Sequence, residues 1–328
     1  MEQQKQDKIW AFLIHLSFNM WEEYVHPRMS IRGFRHYLRL DEPLWHDAVQ
    51  AMSQNGVNMA VIDLGDAVKY ESHPEIAVRN AWSTAKLREE LKKMRALGVE
   101  PVPKLNFATS HDTWLGEYSR MISSRKYYEV CADLIRETCE LFDKPRFFHL
   151  GMDEETMGNQ KFFRHVVVRK NEAWWKDFFY LAGEVEKHGS RAWIWPDSML
   201  WHYPEQFYKR MPKSVVMSNW YYRDFDNPES ERYRKRMNAY IDLGQAGYEQ
   251  MPTGAYFPLK ILDRVQPPIS RATTEANIGA TVDFFKKKNL DDKRLLGFLQ
   301  TWWLPTLEEY RDGLLEAIRL LGKAKKHY

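Results

Sequence analysis

The sequence predicts a (β/α)8 TIM barrel, an α/β fold in which eight parallel strands alternate with helices. Short apolar runs rich in branched and aromatic residues alternate with longer amphipathic runs along the whole chain. Eight such pairs fit into 328 residues, without a fixed-period repeat or a Ser/Gly-rich linker between them. We therefore expect residues 1–328 to form one catalytic barrel domain rather than an open sheet with a second domain.

Each predicted strand is an apolar run that ends in polar residues, and the seventh is the weakest. The strands are predicted at 10–18, 59–64, 99–107, 147–151, 192–195, 215–220, 247–250 and 295–301. Helical periodicity predicts helices at 43–54, 83–97, 126–142, 172–188, 204–211, 230–244, 274–288 and 306–323. The longest irregular stretches, 66–82, 108–124, 156–170 and 253–271, follow strands, as the active-site loops of barrels do.

Composition narrows the class of partner. The net charge is +3, from 48 basic and 45 acidic residues, which argues against nucleic acid. Thirteen Trp, seventeen Tyr and seventeen Phe supply the flat apolar faces that sugar-binding clefts use, although an aromatic core would need many of them too. We expect a carbohydrate partner, an amino sugar or an oligosaccharide. Oligomeric state stays open.

No apolar run reaches the roughly 20 residues that a membrane helix needs, so we expect a soluble protein without a membrane partner. The run 9–20 is short and contains His15, Ser17 and Asn19, which favours a buried strand over an export signal. The compartment stays open, because an export signal that has been removed leaves no trace in the remaining chain.

The most informative segment is 146–155, where an apolar strand runs directly into Asp153, Glu154 and Glu155. Adjacent carboxylates repel one another and lose solvation on burial, which perturbs their proton affinities as catalysis requires. The alternative is an acidic helix start that complements the helix dipole. We take Asp153 and Glu154 as the candidate catalytic pair.

Polar and aromatic residues follow nearly every predicted strand. In a barrel, the carboxyl ends of the strands converge on one pocket. These residues are Asn19, Trp21, Glu22, Glu23, Asp63, Asp66, Lys104, Asn106, His111, Asp112, Trp195, Asp197, Asn219, Trp220, Tyr222, Asp224, Gln300, Trp302 and Trp303. The combination of carboxylates with Trp favours a carbohydrate-processing pocket.

The run His149-Leu150-Gly151-Met152-Asp153-Glu154 resembles the His-x-Gly-Gly-Asp-Glu signature of glycoside hydrolase family 20, the β-N-acetylhexosaminidases, where it ends the fourth barrel strand. Residues 101–111 resemble the family segment that ends in Pro-Gly-His. Tyr222-Arg223-Asp224 resembles its sugar-contacting Tyr-x-Asp, and 297–303 is similar to its last strand. Met152 replaces the second Gly, and the Arg that ends the first strand in the family has no counterpart in 9–21.

The resemblance implies a retaining, exo-acting β-N-acetylhexosaminidase-like enzyme that uses substrate-assisted catalysis and no cofactor or metal. Glu154 would act as general acid and then as base, and Asp153 would orient the 2-acetamido group of the substrate. Side chains of successive residues point apart, which suits this division. The substrate-binding candidates are His111, His149, Trp195, Asp197, Trp220, Tyr222, Asp224, Trp302 and Trp303, with His111 and His149 expected to hydrogen-bond the carboxylates.

Two other functions are compatible with these residues. A metal-dependent barrel hydrolase or isomerase would use His15, Asp63, His111, His149 and Asp153 as ligands, although no HxH or HExxH spacing is present. A non-catalytic carbohydrate-binding barrel would keep the aromatic cleft and lose the working geometry of the acid. For each single Trp or His, a purely structural role in the core is the alternative.

Overall fold

The computed structural model describes residues 7–24, 30–225, 227–258, 269–290 and 293–328. Its main sheet contains β1 (Ile9–His15), β2 (Met59–Asp63), β3 (Glu100–Lys104), β4 (Phe147–Gly151), β5 (Arg191–Ile194), β6 (Val216–Met217), β7 (Thr253–Tyr256) and β8 (Gly297–Trp302). The order is β6-β5-β4-β3-β2-β1-β8-β7, and neighbouring strands pair in parallel. Bridges between Met217 and Gln250 and between Trp220 and Thr253 join the two ends of this order. The predicted α/β barrel is therefore confirmed.

Helices surround the sheet and alternate with its strands. They are α1 (Glu42–Gln54), α2 (Thr84–Ala96), α3 (Arg125–Leu141), α4 (Glu172–Lys187), α5 (Asp197–Leu200), α6 (Pro204–Arg210), α7 (Glu231–Gln245), α8 (Arg271–Lys287) and α9 (Arg311–His327). Serine side chains accept the N3 amide at the start of α2, α3, α7 and α8, which satisfies a backbone donor that a helix leaves free. In the described part of the chain, no helix is both long and apolar enough to cross a bilayer.

Two apolar cores lie on opposite sides of the strands. Ala11 and Leu13 of β1 face the barrel interior, whereas Phe12 and Ile14 face the helix layer. The same alternation holds along β2, β5 and β8. At the carboxyl end of the barrel, the side chains that face the interior are polar. The apolar core inside the barrel therefore ends below the candidate site.

The seventh strand was predicted at the wrong position. The structure places β7 at Thr253–Tyr256, and within 247–250 Gln250 makes isolated bridges to Met217 and Leu295. A Cβ on Gly254 would lie 3.1 Å from the backbone of Ile278 in α8. Position 254 therefore needs glycine because α8 packs closely on it, and this glycine interrupts the pattern of branched residues by which strands are predicted.

Candidate active site

The candidate site begins where β4 ends, in a strained turn. Gly151, Met152 and Glu154 all have positive φ, at 73°, 75° and 55°. A Cβ on Gly151 would lie 1.9 Å from Oδ1 of Asn106, so only glycine allows this approach. Asn106 in turn donates a hydrogen bond to Asp153 at 3.0 Å. Left-handed conformations of residues other than glycine are costly, and their clustering here favours a functional role for the turn.

The imidazole ring of His111 joins the two acids. Its Nδ1 lies 3.4 Å from Oδ1 of Asp153, and its Nε2 lies 3.8 Å from Oε2 of Glu154. His111 is buried in the loop after β3, with its ring edge against Trp21. Each carboxylate therefore faces a different nitrogen of one ring, and an oxygen of Asp153 lies within 4.8 Å of an oxygen of Glu154.

The surroundings give the two acids different proton affinities. Burial alone would raise the pKa of Asp153, but the charges of His111 and Lys104, with hydrogen bonds from His111 and Asn106, lower it to about 2. Burial and the neighbouring charge of Asp153 raise the pKa of Glu154, against the opposing effect of His111. Burial would lower the pKa of His111, yet Asp153 raises it above its usual value. The arrangement favours the ionised form of Asp153 and shifts Glu154 towards its protonated form.

A buried polar layer lies beneath the acids. Lys104 forms an ion pair with Asp63, and Nδ1 of His15 lies 3.5 Å from the same carboxylate. All three side chains are at most 3% exposed, so the charge of Lys104 is poorly screened. This cation lies below Asp153 and stabilises its ionised form.

His149 also belongs to this layer, and its predicted hydrogen bond to a carboxylate is absent from the described contacts. Its Nδ1 accepts the backbone N–H of Gly151 at 3.0 Å, and its ring packs 4.6 Å from that of Trp195. Burial and the charge of Lys104 hold the pKa of His149 well below its usual value. The residue is therefore a neutral support for the turn rather than a partner of the acids.

Asp197, at the start of α5, supports Glu154 from the other side. It accepts the backbone N–H of Glu154 at 3.0 Å and the indole N–H of Trp220 at 3.3 Å. Burial and the charges of Asp153 and Glu154 raise the pKa of Asp197 to about 7. Trp220 stacks on Tyr222, with ring centroids 4.8 Å apart. These predicted residues therefore lie together beside Glu154.

The two tryptophans at the end of the barrel face opposite ways. The Trp303 ring lies 5.7 Å from Trp21 and 6.1 Å from Trp195, inside the mouth of the barrel. Trp302 is fully buried in the helix layer, where a Cβ on Gly313 of α9 would lie 3.0 Å from its ring. The prediction of Trp302 as a sugar-binding residue was wrong, because successive residues of a strand face opposite sides of the sheet.

Asp224 is also placed differently from the prediction. Its Oδ1 accepts a hydrogen bond from the hydroxyl of Thr273 at the start of α8, and Tyr221 donates to its backbone carbonyl. Among the described contacts, none joins Asp224 to the acid pair. A structural role in holding the loop after β6 accounts for this position, so the sugar contact predicted for Asp224 is not supported.

Two arginines near the acids were missed by sequence reasoning. The guanidinium of Arg32 lies 4.7 Å from the ring centroid of Trp21, and its charge opposes the raised pKa of Glu154. Arg236 of α7 lies 4.5 Å from the ring centroid of Trp220, and burial lowers its pKa to about 9. Both come from outside the strand ends, and no local sequence signal distinguishes them from surface arginines.

The structure brings together only some of the residues that the metal hypothesis named as ligands. Ligand atoms of His111, Asp153 and Glu154 lie within 4.8 Å of one another, so these three side chains offer a possible donor set. His15 and Asp63 lie instead in the polar layer with Lys104, whose ammonium group takes the position of a counter-ion. The five ligands that the hypothesis named are therefore not brought to one point.

Comparison with known proteins agrees with this fold. No protein-family model matches the sequence, and no curated protein matches it by sequence. The β-N-acetylhexosaminidase from Bacteroides fragilis NCTC 9343 matches in structure with a TM-score of 0.62 and 13% identity, over 95% of this chain and 65% of that chain. The GH20 exo β-N-acetylglucosaminidase from Vibrio harveyi, in complex with N-acetylglucosamine, matches with a TM-score of 0.63 and 12% identity, over 98% of this chain and 55% of that chain.

A mutant β-hexosaminidase from Streptomyces plicatus, in complex with its product GlcNAc, matches with a TM-score of 0.62 and 11% identity. That match covers 96% of this chain and 64% of the other. The chain spans less than two thirds of the length of these three solved chains. The resemblance predicted from the Asp-Glu motif is confirmed at the level of the fold, which this chain shares with glycoside hydrolase family 20 structures at low sequence identity.

Proposed function

We propose that the chain is a retaining glycoside hydrolase, a single catalytic barrel that removes 2-acetamido sugars with Asp153 and Glu154. One observation carries this proposal: the two nitrogens of a single buried imidazole ring face two adjacent carboxylates, whose pKa values are shifted in opposite directions. An acid that keeps its proton beside an acid that stays charged is the pairing that glycoside hydrolysis needs. The likeness to solved hexosaminidase structures supports the same reaction class.

In the first step, the proton on Glu154 moves to the glycosidic oxygen as the bond from that oxygen to the anomeric carbon breaks. The carbonyl oxygen of the substrate's acetamide attacks the same carbon and closes a five-membered ring. Asp153 accepts the acetamide N–H and stabilises the positive charge that spreads over this ring. Its low pKa suits the role, because only the ionised carboxylate can act in this way.

In the second step, Glu154 is ionised and takes a proton from water while the water oxygen bonds to the anomeric carbon. The ring opens, and the acetamide is restored with net retention. Trp195, Trp220 and Trp303 supply apolar surface around the sugar, and Tyr222, which stacks on Trp220, offers its hydroxyl as a hydrogen-bond donor. Asp197 fixes the backbone of Glu154 through both steps.

The test compares Glu154→Gln with the wild type on two 2-acetamido-β-glucosides that differ in leaving group, a nitrophenolate and an alkyl alcohol. Removal of a general acid costs typically 100-fold or more. We expect this loss in kcat/KM, which reports departure of the leaving group and not the second step, with the alcohol, and a much smaller loss in kcat/KM with the nitrophenolate, which departs without protonation. Glu229→Gln, an exposed acid in the ion pair with Arg234, is the control. Equal losses on both substrates, or no loss, would contradict the assignment.

The donor set of His111, Asp153 and Glu154 favours metal-dependent hydrolysis as the second candidate. A metal there would make activity depend on the ion. We expect EDTA dialysis to leave turnover of the nitrophenyl substrate unchanged. A loss of activity that is restored by Zn²⁺ or Mn²⁺ would favour metal-dependent hydrolysis instead.

A further inference from the structure

A cavity of about 870 Å³ opens beside Glu154. Glu154 and Asp197 line it, whereas Asp153 does not. The volume lies within the range of small-molecule sites, and the rings of Trp201 and Trp220 provide part of its apolar wall. Because Glu154 in the proposed function protonates the departing oxygen, a cavity on the Glu154 side lies where the leaving group must be.

The walls of this cavity are positively charged. Lys170, Arg232, Lys235 and Arg236 line it, and the first three are exposed. Among the residues that the structure describes, Lys170, Arg232 and Lys235 have no ion-pair partner. Glu231 opposes them with one negative charge at the first turn of α7.

The other charged groups on the wall change this balance little. The charge of Arg169, a fifth basic residue on the wall, is offset by the buried carboxylates of Glu155 and Asp177 with which it pairs. Burial and neighbouring carboxylates raise the pKa values of Glu154 and Asp197, which reduces their negative charge. The cavity therefore keeps an excess of positive charge near neutral pH.

The cations lie close enough to affect one another. Burial lowers the pKa of His202, and the charges of Lys235 and Arg236 lower it further. Burial likewise lowers the pKa of Arg236, and the charge of Arg232 adds to that effect. Like charges held together at a partly desolvated wall destabilise one another, and an anion placed between them relieves this cost.

We propose that this cavity is the leaving-group subsite and that it selects oligosaccharides whose sugar at that position carries an anionic group, a carboxylate or a sulfate. The inference rests on the proposed function, which assigns Glu154 to the leaving group. Arg232 and Lys235 of α7 are the residues that discriminate the charge. Trp201 and Trp220 supply apolar surface beside the sugar ring.

The test measures binding, so that it stays independent of turnover. The Glu154→Gln protein is titrated by calorimetry with three disaccharides of 2-acetamido-2-deoxyglucose, β-linked to glucose, to glucuronate or to 6-sulfoglucose. Exposed ion pairs each contribute up to roughly fivefold in affinity, so two cations predict on the order of tenfold tighter binding of an anionic disaccharide. The comparison of glucuronate with 6-sulfoglucose identifies which anion the subsite prefers.

The same titrations are repeated with Arg232→Ala and Lys235→Ala added together, and with Arg234→Ala as the matched control. Arg234 lies on the same helix, pairs with Glu229 and does not line the cavity. We expect the preference for the anionic disaccharides to fall to about twofold or less in the double variant and to persist in the control. The preference for anionic disaccharides should also weaken as the salt concentration rises.

Equal binding of charged and neutral disaccharides, absence of binding by all three, or a preference that survives the double variant would each overturn the subsite. Failure of the proposed function is a separate result, seen when the wild type hydrolyses no 2-acetamido glycoside. An enzyme that hydrolyses such glycosides without charge preference refutes the subsite alone. Charge-selective binding without hydrolysis refutes the proposed reaction alone.

Discussion

Replacement of His111 by Gln removes the positive charge beside the two acids and keeps a hydrogen-bond donor. At the 3.4 Å that separates Nδ1 from Asp153, and with an effective dielectric constant of about 20, the attraction is about 5 kcal/mol before desolvation is subtracted. A neighbouring cation lowers the pKa of a carboxyl by about one to three units once that cost is included. The pKa of Asp153, about 2 in the intact site, should therefore rise by one to three units in His111→Gln.

The sign of the effect on activity follows from the role of each acid. Asp153 must be ionised, so a higher pKa moves the acidic limb of kcat/KM to higher pH. Glu154 must be protonated at the start, and loss of the same cation raises its pKa further, so the alkaline limb also moves to higher pH. Both limbs should move in the same direction, by at least one pH unit on the acidic side.

The measurement is kcat/KM from pH 3 to pH 9 with a nitrophenyl 2-acetamido-β-glucoside. In this range the acidic limb should be visible for His111→Gln and absent for the wild type, whose Asp153 has a pKa of about 2. Circular dichroism at each pH confirms that the protein is folded. His46→Gln is the matched control, because His46 pairs with Glu90 on the helix layer. If the limbs of His111→Gln coincide with those of the wild type, or if His46→Gln moves them equally, the electrostatic account of the pair is wrong.

Two further changes test the packing around the site. Gly151→Ala should destabilise the fold by more than Gly98→Ala. Both residues have positive φ, so alanine at either position costs about 1–2 kcal/mol of backbone strain, but only at Gly151 does the new Cβ also clash with Asn106. Equal losses in the free energy of unfolding, measured by urea denaturation, would contradict this. Trp302→Ala should lower the free energy of unfolding by about 3–5 kcal/mol, because its ring is buried in the helix layer. Trp303→Ala should mainly raise KM, because its ring lies in the mouth of the barrel. The reverse pattern would show that the two side chains face the opposite sides of β8.

Much of the site was predictable because parallel strands bring their carboxyl ends together. His111 follows β3, Asp197 follows β5 and Trp220 follows β6, and each lies beside the acids that follow β4. These residues are far apart in the chain, so their convergence depends on the fold class alone. Alternation of apolar and amphipathic runs was enough to predict that class.

The side of the sheet that a residue faces was not predictable in the same way. Barrel strands are apolar on both faces, so the sequence of β8 does not show whether Trp302 or Trp303 points inward. Arg236 illustrates a second limit, because it lies in the middle of α7 and reaches the site only through the packing of that helix on the barrel. Asp224 shows a third limit, because its carboxylate accepts a hydrogen bond from the hydroxyl of Thr273, a partner that the sequence does not indicate.

The acids lie in the turn after β4, whereas Arg232 and Lys235 of the cavity lie on α7, and this separation has an evolutionary consequence. Exposed positions of α7, such as Arg232 and Lys235, can be exchanged without disturbing the barrel or the strained turn after β4. In relatives with the same turn, substitutions on the surface of this one helix would therefore change which oligosaccharides are bound. The catalytic residues would stay the same.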